Sequence, residues 1–243
     1  LNSFSQIFLC NIIFAGGEVM DETFITQLQN DNLSANTISS YTIAIKHYFS
    51  IFDEVTKSNL LTYKGFLIEN YQPKTVNLKI QAINKYLDFV NKKELKLKFV
   101  KIQRKNFLEN VISYPDYLFF INKLKKDKNY MWYFIVRYLG ATGARVSELI
   151  QIKVENVKIG YIDLYTKGGK IRRIYIPKKL REITIKWLEE TGKTSGYLFT
   201  NRFGNKITTR GLAHQLKKYA DDYGMDLKYI YPHSFRHMFA KRF

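Results

Sequence analysis

Apolar residues along the first third of the chain recur at helical intervals. Ile38, Tyr41, Ile45, Tyr48 and Phe52 follow Ser34, a residue suited to cap a helix start, and predict a helix from about residue 35. Leu60–Asn70 is a second amphipathic stretch, and Pro73 marks another start. Val76, Ile80, Ile83, Leu87 and Val90 then form one stripe, with Lys74, Gln81, Lys85 and Lys92 on the other side. Residues 20–98 therefore read as an all-helical domain. Residues 99–112 are charged and lack clean periodicity, as a linker would.

Beyond the linker the pattern is mixed. Tyr114-Pro115-Asp116 opens a helix to about Lys126, and Tyr130–Gly140 is apolar enough for a buried helix. Gly143 breaks it, and Arg145 opens a short helix with Val146, Leu149 and Ile150 inward. Tyr161–Tyr165 alternates with period two, as does part of Ile171–Ile176, with Lys167-Gly168-Gly169-Lys170 as a hairpin turn between them. Helices are expected again at about 179–191 and 208–222, and from His233 onward. The fold class read from this order is mainly α with a small antiparallel β-sheet, and the second domain spans 113–243.

Charge narrows the partner. Among 243 residues, 39 Lys+Arg against 21 Asp+Glu give a net charge of +18, which favours a polyanion, with nucleic acid first and a membrane surface second. Apolar content of 46% with 16% aromatics supports packed cores and argues against disorder. The single cysteine, Cys10, excludes an internal disulfide and a Cys-rich zinc site, and fits a reducing cytoplasm. His47, His214, His233 and His237 form no His-Glu-x-x-His arrangement, so no metal is implied. The uncharged run Phe4–Ala15 lacks the basic start of a signal peptide and is too short and polar to span a membrane. Gly16-Gly17-Glu18-Val19-Met20 can be encoded by a purine-rich ribosome-binding sequence followed by a start codon. Residues 1–19 thus read as upstream frame, and the natural chain is expected to begin at Met20.

Three separated segments carry phosphate-handling groups: Ala-Thr-Gly-Ala-Arg-Val-Ser-Glu-Leu around Arg145, Thr-Lys-Gly-Gly-Lys-Ile-Arg-Arg around Lys167, and Pro-His-Ser-Phe-Arg-His-Met-Phe-Ala from Pro232 to Ala240. A guanidinium offers a planar fork for two phosphoryl oxygens, a lysine a point charge with protons to donate, and a histidine a proton that moves near neutrality. Each segment also has an ordinary reading. Arg145 could be a surface arginine or the partner of Glu148 at i+3, Lys167 a common turn lysine, and the pair His233 and Arg236 a cap or an ion pair.

Taken together, the segments resemble the tyrosine recombinase family, the phage-integrase and Xer-type DNA strand-exchange enzymes. The resemblance rests on Thr-Gly-Ala-Arg-x-Ser-Glu-Leu at Arg145, Lys-Gly-x-x-Lys at Lys167, and His-x-x-Arg-His at His233, Arg236 and His237. Leu-Ser-x-x-Thr-Ile-x-x-Tyr at Leu33–Tyr41 is similar to the opening of the family's helical core-binding domain. The resemblance covers about residues 20–243. It implies a two-domain, C-shaped clamp on duplex DNA at specific recombination sites, working as a homo-tetramer, with no membrane, cofactor or metal. It implies that Arg145 and Arg236 hold the scissile phosphate, that Lys167 protonates the departing 5′ oxygen, and that His233 assists proton transfer. Glu148 and His237 would support the site, while Lys74 and Lys85 are the expected DNA-backbone contacts of the first domain.

The chain departs from the family pattern in one respect. The family's nucleophilic tyrosine lies a few tens of residues beyond the His-x-x-Arg box, whereas Tyr219, Tyr223, Tyr229 and Tyr231 all precede the box here. The chain alone is therefore expected to be inactive in cleavage. Two other readings stay open: a DNA-binding remnant or regulator that no longer cleaves, and an enzyme akin to type IB topoisomerases. The integrase-like helical domain argues against the second.

Overall fold

A computed structural model describes residues 22–103, 110–165 and 171–242. The expected upstream segment 1–19 and Lys167 lie outside them. The chain divides into two compact units, 1–104 and 105–243.

The first unit is helical: α1 (Glu22–Asn30), α2 (Ala35–Phe49), α3 (Lys57–Asn70) and α4 (Pro73–Phe89). Local chemistry sets the boundaries. Ser34 Oγ accepts the Thr37 N–H and caps α2, Thr56 caps α3 in the same way, and Pro73 occupies the first turn of α4, where no N–H is required. Phe24, Leu28, Ile45, Tyr48, Leu60, Tyr63, Ile80 and Leu87 fill the centre. Each such fully buried side chain contributes roughly 1.5–3 kcal/mol. The buried tyrosines keep their hydroxyls satisfied: Tyr48 donates to the Glu54 carbonyl at 2.9 Å, and Tyr63 pairs with His47 Nδ1 at 2.8 Å. The segment after α4 is tied back by two asparagines. Asn84 exchanges hydrogen bonds with both backbone groups of Leu97, and Asn77 does so with Val100. The tie extends two residues into the span whose charge pattern suggests a linker.

The second unit contains α5 (Tyr114–Lys126), α6 (Tyr130–Thr142), α7 (Val146–Leu149), α8 (Val154–Ile159), β1 (Tyr161–Tyr165), β2 (Ile171–Tyr175), α9 (Lys178–Thr191), α10 (Thr209–Asp222) and α11 (Pro232–Arg242). The strands pair antiparallel, with Ile162 opposite Ile174, Leu164 opposite Arg172 and Tyr165 opposite Ile171. α6 is central, packed against α5, α7, α9 and α11. Ile135, Val136, Tyr138 and Leu139 are buried along it, which explains its apolar composition. Helix α8 shows no period in the sequence: only Val154 and Val157 of its six residues are buried, too few to set one.

Candidate functional site

Helix α6 ends because Gly143 adopts φ +58°, a left-handed conformation that an L side chain resists. A Cβ there would also clash with the Phe239 ring of α11. The chain then turns so that Arg145 precedes α7 in an extended conformation. Glu148, in the first turn of α7, reaches back. Its Oε2 accepts the Arg145 backbone N–H at 2.7 Å, half of a capping box, and its Oε1 accepts Arg145 Nη1 at 2.8 Å.

The same Oε1 accepts Nη1 of Arg172 at 2.9 Å. Glu148 is only 7% exposed, so its charge is held by two guanidiniums in place of water. No expectation from the sequence falls on Arg172. A signal existed: strand alternation puts residue 172 on the same face as buried Ile174, and an inward arginine needs a carboxylate.

Helix α11 brings in the third guanidinium. Phe235 and Met238 are buried, and Ser234 Oγ accepts the Ile112 N–H at 2.6 Å, which fixes the helix start. Half-buried Arg236 donates through Nη1 to the Gly143 carbonyl, beside the turn that carries Arg145. Its pKa is lowered, first by burial, then by Arg172 and Arg145, with Glu148 opposing. Arg145, Arg172 and Arg236 thus lie within mutual electrostatic reach with one carboxylate between them, and positive charge remains in excess. An anion arriving there relieves repulsion already present.

His233 is exposed at the start of α11 and His237 half-buried one turn on, their rings 6.4 Å apart. Lys167 falls in 166–170, outside the described residues, but the strands on either side are paired up to Tyr165 and Ile171. The four candidate tyrosines divide. Tyr219 donates to Asn129 at 3.2 Å and stacks on Tyr223, which packs edge-on against Phe120. Burial chiefly pushes the Tyr223 phenol up to about 12, the reverse of what a nucleophile needs. Tyr229 lies beneath Lys228, whose ammonium is 5.1 Å from the ring, and Tyr231 is half-buried just before α11. In the first unit, Lys74 is exposed in the first turn of α4, whereas Lys85 is ion-paired with Asp31 at 2.7 Å.

Comparisons with known proteins bear on the family and the fold. The phage integrase family profile matches residues 110–243. Tyrosine recombinase XerA of Pyrococcus horikoshii is 30% identical over 235 residues, covering 90% of this chain and 77% of that protein. A tyrosine recombinase of Agathobacter rectalis is 30% identical over 243 residues, covering 88% and 78%. Among solved structures, a lambda integrase dimer bound to a COC′ core site superposes with TM-score 0.70 at 12% identity, covering 90% of this chain and 67% of that one. XerH recombinase bound to a difH substrate gives 0.65 at 18%, covering 90% and 74%. At those identities the structures speak for the fold alone, a mainly helical molecule with a two-stranded antiparallel sheet. The family profile and the 30% relatives establish the kinship: this chain belongs to the phage integrase family of tyrosine recombinases.

Proposed function

We propose that the chain binds duplex DNA at a specific recombination site and that its second unit holds the phosphodiester to be exchanged. The observation that carries this reading is the convergence of Arg145 and Arg236, from distant segments, at the Gly143–Glu148 turn. In this reading their guanidiniums hold the non-bridging oxygens and stabilise the charge that builds up on a pentacoordinate phosphorus. Lys167 gives its proton to the departing 5′ oxygen, and His233 takes part in proton transfer at the attacking hydroxyl. Glu148 keeps Arg145 in place, Arg172 shares that carboxylate, and His237 packs beside the site. A tyrosine oxygen bonds to phosphorus as the 5′ oxygen leaves, which gives a 3′-phosphotyrosine and conserves the bond energy for rejoining. Lys74 is the remaining candidate for a backbone contact in the first unit, with Lys85 available once its ion pair with Asp31 opens. Relatives solved on DNA include a lambda integrase tetramer on a Holliday junction, which supports a four-copy assembly for this chain as well.

Inorganic phosphate tests the clamp directly. Trp132 and Trp187, the only two tryptophans, both pack on the core of the second unit, so their emission follows that unit. Phosphate, compared with chloride at equal ionic strength, is expected to raise the tryptophan-monitored melting temperature of the parent chain. The rise should exceed that of Arg145→Ala/Arg236→Ala, because a ligand that binds only the folded state stabilises it. An equal rise in both proteins would mean that phosphate acts generally and would sink the clamp.

The nucleophile is a separate question, since residues 1–243 themselves hold no tyrosine beyond Arg236. The 243-residue chain is accordingly expected to form no denaturation-resistant adduct with a nicked duplex chosen by its own binding from a randomised pool. An adduct would move the nucleophile to one of Tyr219, Tyr223, Tyr229 or Tyr231, with Tyr229 and Tyr231 tested first.

A further inference from the structure

Between α9 and α10, on the second unit, the chain makes a tight turn of unusual composition. Leu198 and Phe199 anchor it in the core, and Thr200 pairs with Lys206 across its base. Asn201 organises the tip. Its backbone N–H donates to Asn205 O at 2.7 Å, its carbonyl accepts from Gly204 at 3.0 Å, and its Oδ1 accepts the N–H groups of Phe203 and Asn205 at 2.9 and 3.1 Å. Gly204 takes φ +78°, which the turn requires.

The tip is thus braced by four hydrogen bonds, and it presents an aromatic ring to solvent. Phe203 is 71% exposed, with the Arg202 guanidinium 4.7 Å from its centre. Two ammoniums also lie over the Tyr197 ring, Lys206 at 5.3 Å and Lys153 at 5.6 Å. Arg202, Lys206 and Lys153 make no ion pair with a carboxylate among the described residues, although Glu155 lies within electrostatic reach of Lys153. An isolated exposed phenylalanine is common on protein surfaces, and so is a lysine in a turn. A phenylalanine on a turn braced by four hydrogen bonds, with cations on two aromatic faces, is a more specific arrangement. It pairs stacking surface with phosphate-binding charge, the combination by which proteins hold nucleic acid.

We propose that the Asn201–Lys206 turn is a contact with duplex DNA, in which Phe203 packs against a base or sugar while Arg202, Lys206 and Lys153 meet flanking phosphates. The proposal rests on the recombinase reading above. It adds a second contact made by the same unit, separate from the arginine cluster. The bracing matters here, because a braced turn loses little freedom on binding.

The test is binding of the 243-residue chain to a fluorescein-labelled duplex of mixed sequence, followed by anisotropy across about 50 to 200 mM salt. Phe203→Ala and Phe203→Leu should weaken binding roughly 5- to 100-fold with the salt slope unchanged, while Phe203→Tyr should bind as the parent does. Arg202→Ala/Lys206→Ala should instead flatten the slope of log affinity against log salt by about 0.9 for each phosphate no longer neutralised. Tryptophan emission identical to the parent's confirms that the variants are folded. If the parent binds and all these variants bind alike with its slope, the turn is an ordinary surface feature and the recombinase reading stands. If the parent has no salt-dependent affinity for duplex DNA, that reading falls and this one with it.

Discussion

Among the described residues the first unit has its ion pairs on the surface, and the second, beside a surface pair of its own, has one cluster built on an enclosed carboxylate. Lys85 and Asp88 of α4 pair with Asp31 and Lys96, which lie outside the helices, and each partner is more than a quarter exposed. Glu148, by contrast, is almost fully enclosed, and its carboxylate serves a backbone N–H and two guanidiniums together. Charges of the first kind come and go with little effect on the fold. Those of the second kind depend on one another, since removing a guanidinium leaves an enclosed carboxylate short of a partner. The first unit therefore uses charge to face its surroundings, and the second uses it to build a shaped site.

The sharpest way to break this contrast is at the turn that supports the buried cluster. Gly143→Ala should destabilise the second unit by about 2–4 kcal/mol, combining a left-handed backbone with overpacking against Phe239. Urea unfolding followed by tryptophan emission should show the loss, since both tryptophans report on that unit alone. A change under about 1 kcal/mol would mean that the turn yields easily.

A smaller effect is expected at the carboxylate. Glu148→Gln keeps the size and most hydrogen bonds but removes the charge. The side chains of Arg145 and Arg172 are 49% and 31% exposed, so water can take over part of their solvation. The cost should therefore fall below that of breaking a fully buried pair, at about 2 kcal/mol by the same readout. The phosphate-dependent rise in melting temperature should also shrink, because Arg145 loses the group that aims it.

The smallest effect belongs to the first unit. Lys85→Ala should leave the tryptophan-monitored transition unmoved. Its signature is in pH, followed by circular dichroism. The hydrogen bond from Lys85, followed by one from Gln27, holds the Asp31 carboxyl below its ordinary 3.8. A depressed carboxylate stabilises the fold above that value and loses the contribution as pH falls through its folded-state pKa. Parent and variant should therefore differ near neutrality and converge below pH 3.8. A difference that persists in acid would place the effect of Lys85 in packing and not in charge.

Helices with long apolar stripes were legible in the sequence. α2, α4, α5 and α6 lie where periodicity and caps put them, because buried stripes and end signals such as Ser34, Pro73 and Gly143 are local properties. Arg145 and Arg236 stood out through their motifs, yet nothing local to either could show that they meet at one turn. Arg172 was overlooked because it sits beside Arg173, a residue of the same type with a different job. Arg173 faces outward in a bidentate pair with Asp163, while its neighbour turns in toward Glu148. Telling the two apart takes the strand register, which periodicity over five residues barely constrains.

Gly143 has one further consequence. Its carbonyl receives Arg236, its missing side chain makes room for Phe239, and Arg145 lies two residues on. Both arginines are long, flexible side chains, yet they share a single reference point in the backbone. Whatever displaces α11 against the end of α6 pulls Arg236 away from that point and changes its spacing from Arg145. Kindred chains with a side chain at position 143 should then carry something smaller than phenylalanine at position 239, a paired exchange across 96 residues of sequence.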